Sequence, residues 1–147
     1  MIARIAGKLA RLSVREWREL FEAQWALIVS QSMLRSRPTG TLATPVSSAG
    51  VADPARMPEA RTLALAMVRA ARYGLFRPQC LVRSMALSRM LTAHGITGSM
   101  VRVGVRRRDG EFLAHAWVEL GGETLGDADE HVGTFAPLTN LDVQRPR

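Results

Sequence analysis

Apolar residues recur at helical spacing in the first quarter of the chain. Ser13 and Glu16 have the spacing of a capping box, in which each side chain accepts a hydrogen bond from the other residue's backbone amide. Behind them an apolar stripe continues for three turns: Trp17, Leu20, Phe21, Gln24 and Ile28, widened by Trp25 and Leu27. The pattern predicts an amphipathic helix from Ser13 to about Arg35, with this stripe as its apolar face.

A shorter apolar face precedes the capping box. It consists of Ile2, Ile5, Leu9 and Leu12, while Arg4, Lys8 and Arg11 lie elsewhere on the same helical projection. Packing against the protein's own core is the simpler interpretation, because most amphipathic helices exist for that reason. A membrane or partner surface is the alternative.

The next stretch, Arg37 to Pro58, contains four prolines and many small residues, which predicts a loop or linker long enough to be mobile or to act in substrate access, and its role stays open. A helix is expected to follow, with Pro58 or Glu59 in its first turn and its end near Tyr73-Gly74. Its apolar face would be Leu63, Met67 and Ala70.

A second helix is predicted after Pro78 and carries the only cysteine, Cys80, in its first turn. It is apolar almost all round, so we expect it to be buried on most sides. It should end at His94-Gly95, because glycine suits the left-handed position that follows many helices.

After Gly98 the apolar period changes from helical to two, which predicts strands. Val101, Val103 and Val105 share one face of the first strand, and Arg108-Asp109-Gly110 forms a turn into a second strand from Phe112 to Leu120. Gly121-Gly122 makes another hairpin into a short strand of about Glu123 to Asp127. The tail from Asp129 shows little pattern. Helices first and an antiparallel meander last predict an α+β fold, with the helices packed on one face of the sheet.

Composition limits the partners and the compartment that this 147-residue chain can have, and its length is typical of one domain. The net charge is +7, which favours an acidic partner or only a solvated basic face. Aromatic residues do not interleave with the arginines, so nucleic-acid binding is not expected. No apolar run is long enough for a membrane span, basic residues interrupt the N-terminal segment, and one cysteine cannot form an internal disulfide. We therefore expect a cytoplasmic protein.

Candidate chemistry centres on Cys80, His115 and a carboxylate. A thiol at a helix start beside an imidazole is activated as a thiolate, and the first-turn amides can stabilise an oxyanion. The amide of Cys80 is the first oxyanion donor to consider, and the side chain of Gln79 is the second. If the Cys80 helix packs on the strand face that carries His115, imidazole and thiol can meet.

Register alone leaves the carboxylate open. A two-residue Gly121-Gly122 loop places Ala128 opposite His115, whereas a three-residue loop places Asp129 opposite and Asp127 on the diagonal. An inert core cysteine and a structural strand histidine are the plain alternatives. The histidines lack metal-ligand spacing and no phosphate-binding loop occurs, so neither a metal nor another cofactor is expected.

Several motifs together resemble a known family. They are Arg77-Pro78-Gln79-Cys80-Leu81-Val82-Arg83-Ser84-Met85-Ala86-Leu87, Val103-Gly104-Val105 and His115-Ala116-Trp117-Val118-Glu119. They resemble the leader peptidases of lasso-peptide biosynthesis, papain-type cysteine peptidases of the transglutaminase-like superfamily. The resemblance covers about residues 59–138 and implies a catalytic triad of Cys80, His115 and Asp127.

The resemblance also implies a substrate and partners. The substrate would be the leader of a ribosomally made precursor peptide, held by a separate small recognition protein, and a macrolactam-forming cyclase would act on the freed amine. The expected layout is a helical region at 1–36, a loop at 37–58 and the peptidase core at 59–147, as in the stand-alone form. Two alternatives stay open: a transglutaminase-like acyl transferase, and a non-catalytic module that binds an acidic peptide or a membrane.

Overall fold

The computed structural model describes residues 7–8, 10–36, 48 and 50–138. Its helices are α1 (Val14–Ser36), α2 (Met57–Tyr73), α3 (Cys80–Ala93) and the short α4 (Asp129–Val132), with a 3₁₀ turn at Pro54–Arg56. Its strands are β1 (Ser99–Arg108), β2 (Glu111–Leu120), β3 (Glu123–Leu125) and β4 (Ala136–Pro137). The predicted α+β class is confirmed. Among the described residues, no helix is long and apolar enough to cross a membrane.

The start of α1 follows the predicted capping box. The Ser13 amide donates to Glu16 Oε2 at 2.8 Å, and the Glu16 amide donates to Ser13 Oγ at 3.2 Å. These two bonds satisfy amides that the helix itself leaves without a partner. The local sequence therefore determines where this helix begins.

The predicted apolar face of α1 is correct for Leu27 and wrong for its aromatic members. The helix buries Glu19, Ala23, Leu27 and Ser30, whereas Phe21 and Trp25 are 69% and 67% exposed. Small residues at positions 23 and 30 let α1 lie close against α2 and α3, with Leu27 filling the space between them. Close packing of the three helices thus outweighs the greater hydrophobicity of Phe21 and Trp25.

The helices α2 and α3 form the centre of the core, as predicted. Leu63 and Met67 of α2 and Val82 and Leu91 of α3 are almost completely buried. α3 ends at Ala93 with His94 as its C-terminal cap, and Gly95 has the expected left-handed φ of +73°. The sequence pattern therefore gives both helices and their buried faces correctly.

The four strands form an antiparallel sheet in the order β3-β2-β1-β4. Both hairpin turns have two residues, since Arg108 pairs with Glu111 and Leu120 pairs with Glu123. β3 ends at Leu125, two residues earlier than predicted, and neither α4 nor β4 was predicted. β4 is held at the edge of β1 near Val105.

The two faces of the sheet have different partners. Val101, Val118 and Leu120 pack against the helices in the main core. Trp117, on the opposite face of β2, packs with Val132 and Phe135 from the segment after β3. Because side chains alternate along a strand, His115 lies on the Trp117 face, and α3 packs on the other one. The condition named above for a direct meeting of thiol and imidazole, that the Cys80 helix packs on the face carrying His115, is therefore not met.

Parts of the predicted N-terminal face and loop lie outside the described residues, namely 1–6, 9, 37–47 and 49. The described end of the loop is attached to the sheet, because the Ser48 amide donates to the Ser99 carbonyl at 2.9 Å. Asp53 then caps the 3₁₀ turn by accepting from the Ala55 amide at 2.9 Å. This end of the loop leads directly into α2.

Candidate active site

Cys80 is the first residue of α3, where the sequence places it. Its side chain is half-buried and free of any disulfide. The preceding residue, Gln79, is extended, exposed and makes no side-chain hydrogen bond to the helix. The first amides of α3 therefore keep their capacity to bind a negative charge at or near the sulfur.

His115 sits in the middle of β2, directly opposite Gly104 of β1. Its ring lies 6.2 Å from the Trp117 ring and 5.2 Å from the Phe135 ring, centroid to centroid. A Cβ at Gly104 would come within 2.9 Å of both Trp117 and Phe135, so only glycine fits there. Trp117 and Phe135 can therefore pack beside the imidazole only because residue 104 of the neighbouring strand is glycine.

Asp127 is the carboxylate that meets His115. His115 Nε2 and Asp127 Oδ2 are 2.5 Å apart, and both side chains are 13% exposed. Asp129, the other candidate, lies exposed at the start of α4. Of the two carboxylates that strand register had left open, Asp127 is therefore the one in contact with His115.

The backbone at Gly126 explains why register could not make this choice. Continuing the β2–β3 pairing beyond Leu125 would place Asp127 opposite Ala116, on the helix-packed face. β3 stops at Leu125 instead, and Gly126 turns with a φ of +74°. The turn breaks the strand alternation and directs Asp127 to the face that carries His115.

Arg83 connects α3 to this pair. Its Nη2 donates to Asp127 Oδ2 at 3.2 Å, the same oxygen that contacts His115. A small cavity at this point is lined by Arg83, Ser84, Trp117 and Asp127. Residues of both sheet faces meet there because β3 is too short to separate them.

The structure brings together His115, Asp127 and Arg83. Cys80 lies one helical turn before Arg83, about 4.5 Å along the α3 axis. Among the described residues no hydrogen bond joins the Cys80 thiol to His115, and the Gln79 side chain makes none with either of them. Sulfur and imidazole are thus on neighbouring elements with no hydrogen bond between them.

Two residues of the site had no role in the sequence analysis. Arg83 stands three positions after Cys80, and this helical spacing could have indicated that both face the same neighbour. The His131 ring lies edge-on to His115 with 4.8 Å between centroids. His131 belongs to α4, which the sequence pattern did not predict, so only the tertiary structure could reveal it.

His115, Asp127 and His131 are also the described residues that could hold a metal ion, since one ligand atom from each lies within 4.8 Å of the others. Ligand atoms around a tetrahedral zinc are closer, about 3.3 Å apart. The Arg83 guanidinium already contacts Asp127 Oδ2, and its positive charge would repel a divalent cation. The arrangement fits an imidazole–carboxylate pair better than a metal site.

An open groove of about 560 Å³ runs beside Asp127, between α2 and β3. Leu65 and Val68 contribute apolar surface to its lining, and Arg83 and Asp127 contribute charged groups. Arg61 and Glu123 hold the two elements together through paired contacts of 2.7 Å. Hydrogen bonding from Arg61 lowers the pKa of Glu123, which keeps this surface pair charged.

Comparison with known proteins places the fold. The family model described as "Transglutaminase-like superfamily" matches residues 23–140, most of the chain. The chain belongs to this superfamily. No solved structure matches it.

A curated relative of this transglutaminase-like protein is the microcin J25-processing protein McjB of Escherichia coli. The two are 41% identical over 54 residues, which is 37% of this chain and 24% of McjB. The match thus spans about a quarter of the length of that relative. Both comparisons support the resemblance to lasso-peptide leader peptidases that the motifs predicted.

Proposed function

We propose that this chain is a cysteine peptidase that removes the leader from a ribosomally made lasso precursor peptide. The observation that carries the proposal is the His115–Asp127 pair, joined through Arg83 to the helix that starts with Cys80. Superfamily membership and the partial match to McjB support the same chemistry.

In this mechanism Cys80 is the nucleophile. The thiolate is the reactive form, and a helix start stabilises it through unpaired amides and the helix dipole. α3 runs for 14 residues and its first amides are not capped by Gln79. The sulfur attacks the carbonyl carbon of the scissile bond and forms a tetrahedral intermediate.

His115 is the acid and base. Asp127 engages Nε2, so Nδ1 is the ring nitrogen that can take the thiol proton and later give it to the leaving amine. The C–N bond then breaks, the amine leaves with that proton, and water hydrolyses the acyl-cysteine. This step requires Cys80 Sγ to come within hydrogen-bond reach of Nδ1 when substrate binds, as catalytic contacts often tighten on binding.

The oxyanion would be stabilised by the Cys80 amide, with the Gln79 side chain as a second donor. The amide is fixed by the helix, whereas Gln79 is exposed and could turn toward the substrate. Removing one such donor typically raises the barrier by about 2.7–4 kcal/mol. Gln79→Ala should therefore slow turnover if this side chain takes part.

The proposed partners follow from the resemblance. A small leader-recognition protein would hold the precursor, and the macrolactam-forming cyclase would use the new amine. We propose that the reaction takes place in the cytoplasm and that residues 59–147 form the catalytic core behind a helical region at 1–36 and a loop at 37–58.

The test is leader removal followed by mass spectrometry, with the purified chain, a recognition protein from a lasso-peptide system and its precursor. Cys80→Ala should abolish cleavage while leaving the melting temperature close to that of the wild type. Iodoacetamide should label Cys80 and stop turnover at the same rate. Full activity of Cys80→Ala would refute the mechanism.

Acyl transfer to an amine is the second candidate, because the superfamily match includes this chemistry by name. It shares the acyl-cysteine intermediate and differs only in what attacks it. Adding a primary amine such as methylamine to the same reaction separates the two. A product heavier by the amine would favour transfer, and an unchanged free carboxylate would favour hydrolysis.

A further inference from the structure

The solvent side of α1 carries a row of large apolar side chains. Val14, Trp17, Phe21 and Trp25 follow one another at intervals of three and four residues, with exposed fractions of 88%, 37%, 69% and 67%. We call these four residues the aromatic face. Isolated exposed apolar residues are normal, but a continuous row of them marks a binding surface.

The aromatic face continues onto the segment between α2 and α3. Gln24 of α1 accepts a hydrogen bond from the Leu75 amide at 3.2 Å, which fixes that segment beside the helix. Tyr73 and Leu75 are 62% and 80% exposed there. Two separate elements therefore present apolar side chains to solvent on the same side of the molecule.

The charges around the aromatic face are positive. Arg18 is exposed between Trp17 and Phe21, and the Arg72 guanidinium lies 5.5 Å from the centre of the Tyr73 ring. Neither arginine forms a salt bridge with another described residue.

The carboxylates of α1 are engaged elsewhere and do not offset these arginines. Glu16 accepts hydrogen bonds from Ser13 and Arg69, the buried Glu19 accepts one from the exposed Arg15, and Glu22 contacts His94 at 2.8 Å. The surface thus combines protruding aromatic rings with uncompensated arginine.

The charge and the shape of the aromatic face favour one binding partner over the others. A second copy of the chain would bring like charges together, since each copy has a net charge of +7. The face is a convex ridge about 16 Å long from Val14 to Trp25. A fluid, negatively charged lipid surface accepts such a ridge without a matching socket, and tryptophan, tyrosine and arginine favour that interface.

We propose that the aromatic face docks the protein on an anionic membrane surface, with α1 lying in the plane of the headgroups. Trp17, Phe21 and Trp25 would enter the boundary of the acyl chains, and Arg18 and Arg72 would pair with lipid phosphates. This inference is independent of the proposed peptidase activity. It concerns where the protein works rather than what it cleaves.

Vesicle sedimentation tests the proposal directly. The wild type should sediment with phosphatidylglycerol–phosphatidylcholine vesicles and remain in solution with pure phosphatidylcholine. Replacing Trp17, Phe21 and Trp25 together by Ser should weaken binding by about tenfold or more. Phe112→Ser is the matched control, because Phe112 is 75% exposed at the distant β1–β2 turn and its loss should leave binding unchanged.

Tryptophan fluorescence gives an independent measurement of depth. Brominated lipids should quench the wild type, because Trp17 and Trp25 would lie among the acyl chains. The Trp17→Phe/Trp25→Phe variant keeps an apolar face and should still bind, but it should lose the quenching, since its remaining Trp117 is only 2% exposed. Quenching that persists in this variant would overturn the proposed orientation.

Charge and aromatic contributions must be separated, because any protein with this net charge is attracted to anionic vesicles. If the triple Ser variant binds as tightly as the wild type, the aromatic face is not the docking surface and the proposal fails. If the wild type does not sediment with the anionic vesicles, lipid is not the occupant, and an acidic protein surface would then account for the face. Circular dichroism of the triple variant shows whether its fold is intact.

Discussion

Arg83 donates a hydrogen bond to Asp127 at 3.2 Å and thereby ties the helix that begins with Cys80 to the strand that carries His115. Arg83 and His115 come from opposite sides of the sheet edge, and both contact the same oxygen of Asp127, Oδ2. The charge on Asp127 is thus balanced by a cation from the helix that carries Cys80, which sets the position of helix and imidazole relative to each other.

Asp127→Asn should lower kcat/KM by about 100-fold, because the amide cannot support an imidazolium as a carboxylate does. Asp129→Asn is the matched control and should stay within about twofold, since the Asp129 side chain is exposed at the start of α4. Leader cleavage followed by chromatography measures both. A larger loss with the Asp129 variant would reassign the orienting residue.

Arg83→Met should reduce kcat by about tenfold, because Asp127 loses a charge-assisted hydrogen bond and His115 is held less firmly. Arg83→Lys keeps the charge but not the guanidinium geometry, and should recover part of the rate. The comparison requires kcat and KM separately. An effect confined to KM would indicate that Arg83 binds substrate and does not position Asp127.

Gly126→Ala should lower both stability and activity. Its φ of +74° is strained for any residue with a side chain, at a cost of about 1–3 kcal/mol. Relief of that strain would rotate Asp127 away from His115. Gly110→Ala is the control, because Gly110 has a similar φ of +85° at the open β1–β2 turn. It should lose comparable stability but retain the turnover rate, and equal losses of activity in both variants would contradict this explanation.

Truncating a buried and an exposed side chain of α1 should have very different effects on stability. Leu27→Ala should cost about 2–5 kcal/mol in the free energy of unfolding, because Leu27 is fully buried. Phe21→Ala should change that free energy by no more than about 0.5 kcal/mol, since Phe21 faces solvent. Urea unfolding monitored by circular dichroism measures both, and a larger loss for Phe21 would mean that the aromatic face packs within the protein.

The capping box should make stability depend on pH. The Ser13 amide is the main cause of the lowered pKa of Glu16, with further help from the Ser13 hydroxyl and Arg69. A carboxylate with a lowered folded-state pKa stabilises the protein above its unfolded pKa, and this contribution is lost as pH falls through the folded value. Glu16→Gln should therefore lower the melting temperature at about pH 7 and have little effect at about pH 3. The Ser13→Ala background keeps the Ser13 amide and loses only its hydroxyl, so most of the neutral-pH effect should persist there. Complete loss of the effect in that background would make the hydroxyl, and not the amide, its main cause.

Local sequence determined much of this protein. The capping box sets the start of α1, glycine sets the end of α3, and alternating apolar residues give β1 and β2, because each depends on neighbours within a few positions. The motifs around Cys80 and His115 indicated the superfamily that the family model confirms.

Only the tertiary structure decided which way the α1 stripe faces and how Asp127, the carboxylate that the resemblance implied, reaches His115. Helix packing selected small residues such as Ala23 over the aromatic ones, since close approach of three helices depends on total shape and not on the hydrophobicity of one. Asp127 reaches His115 because a glycine turn ends the strand pairing, a backbone change that the alternation of side chains cannot reveal.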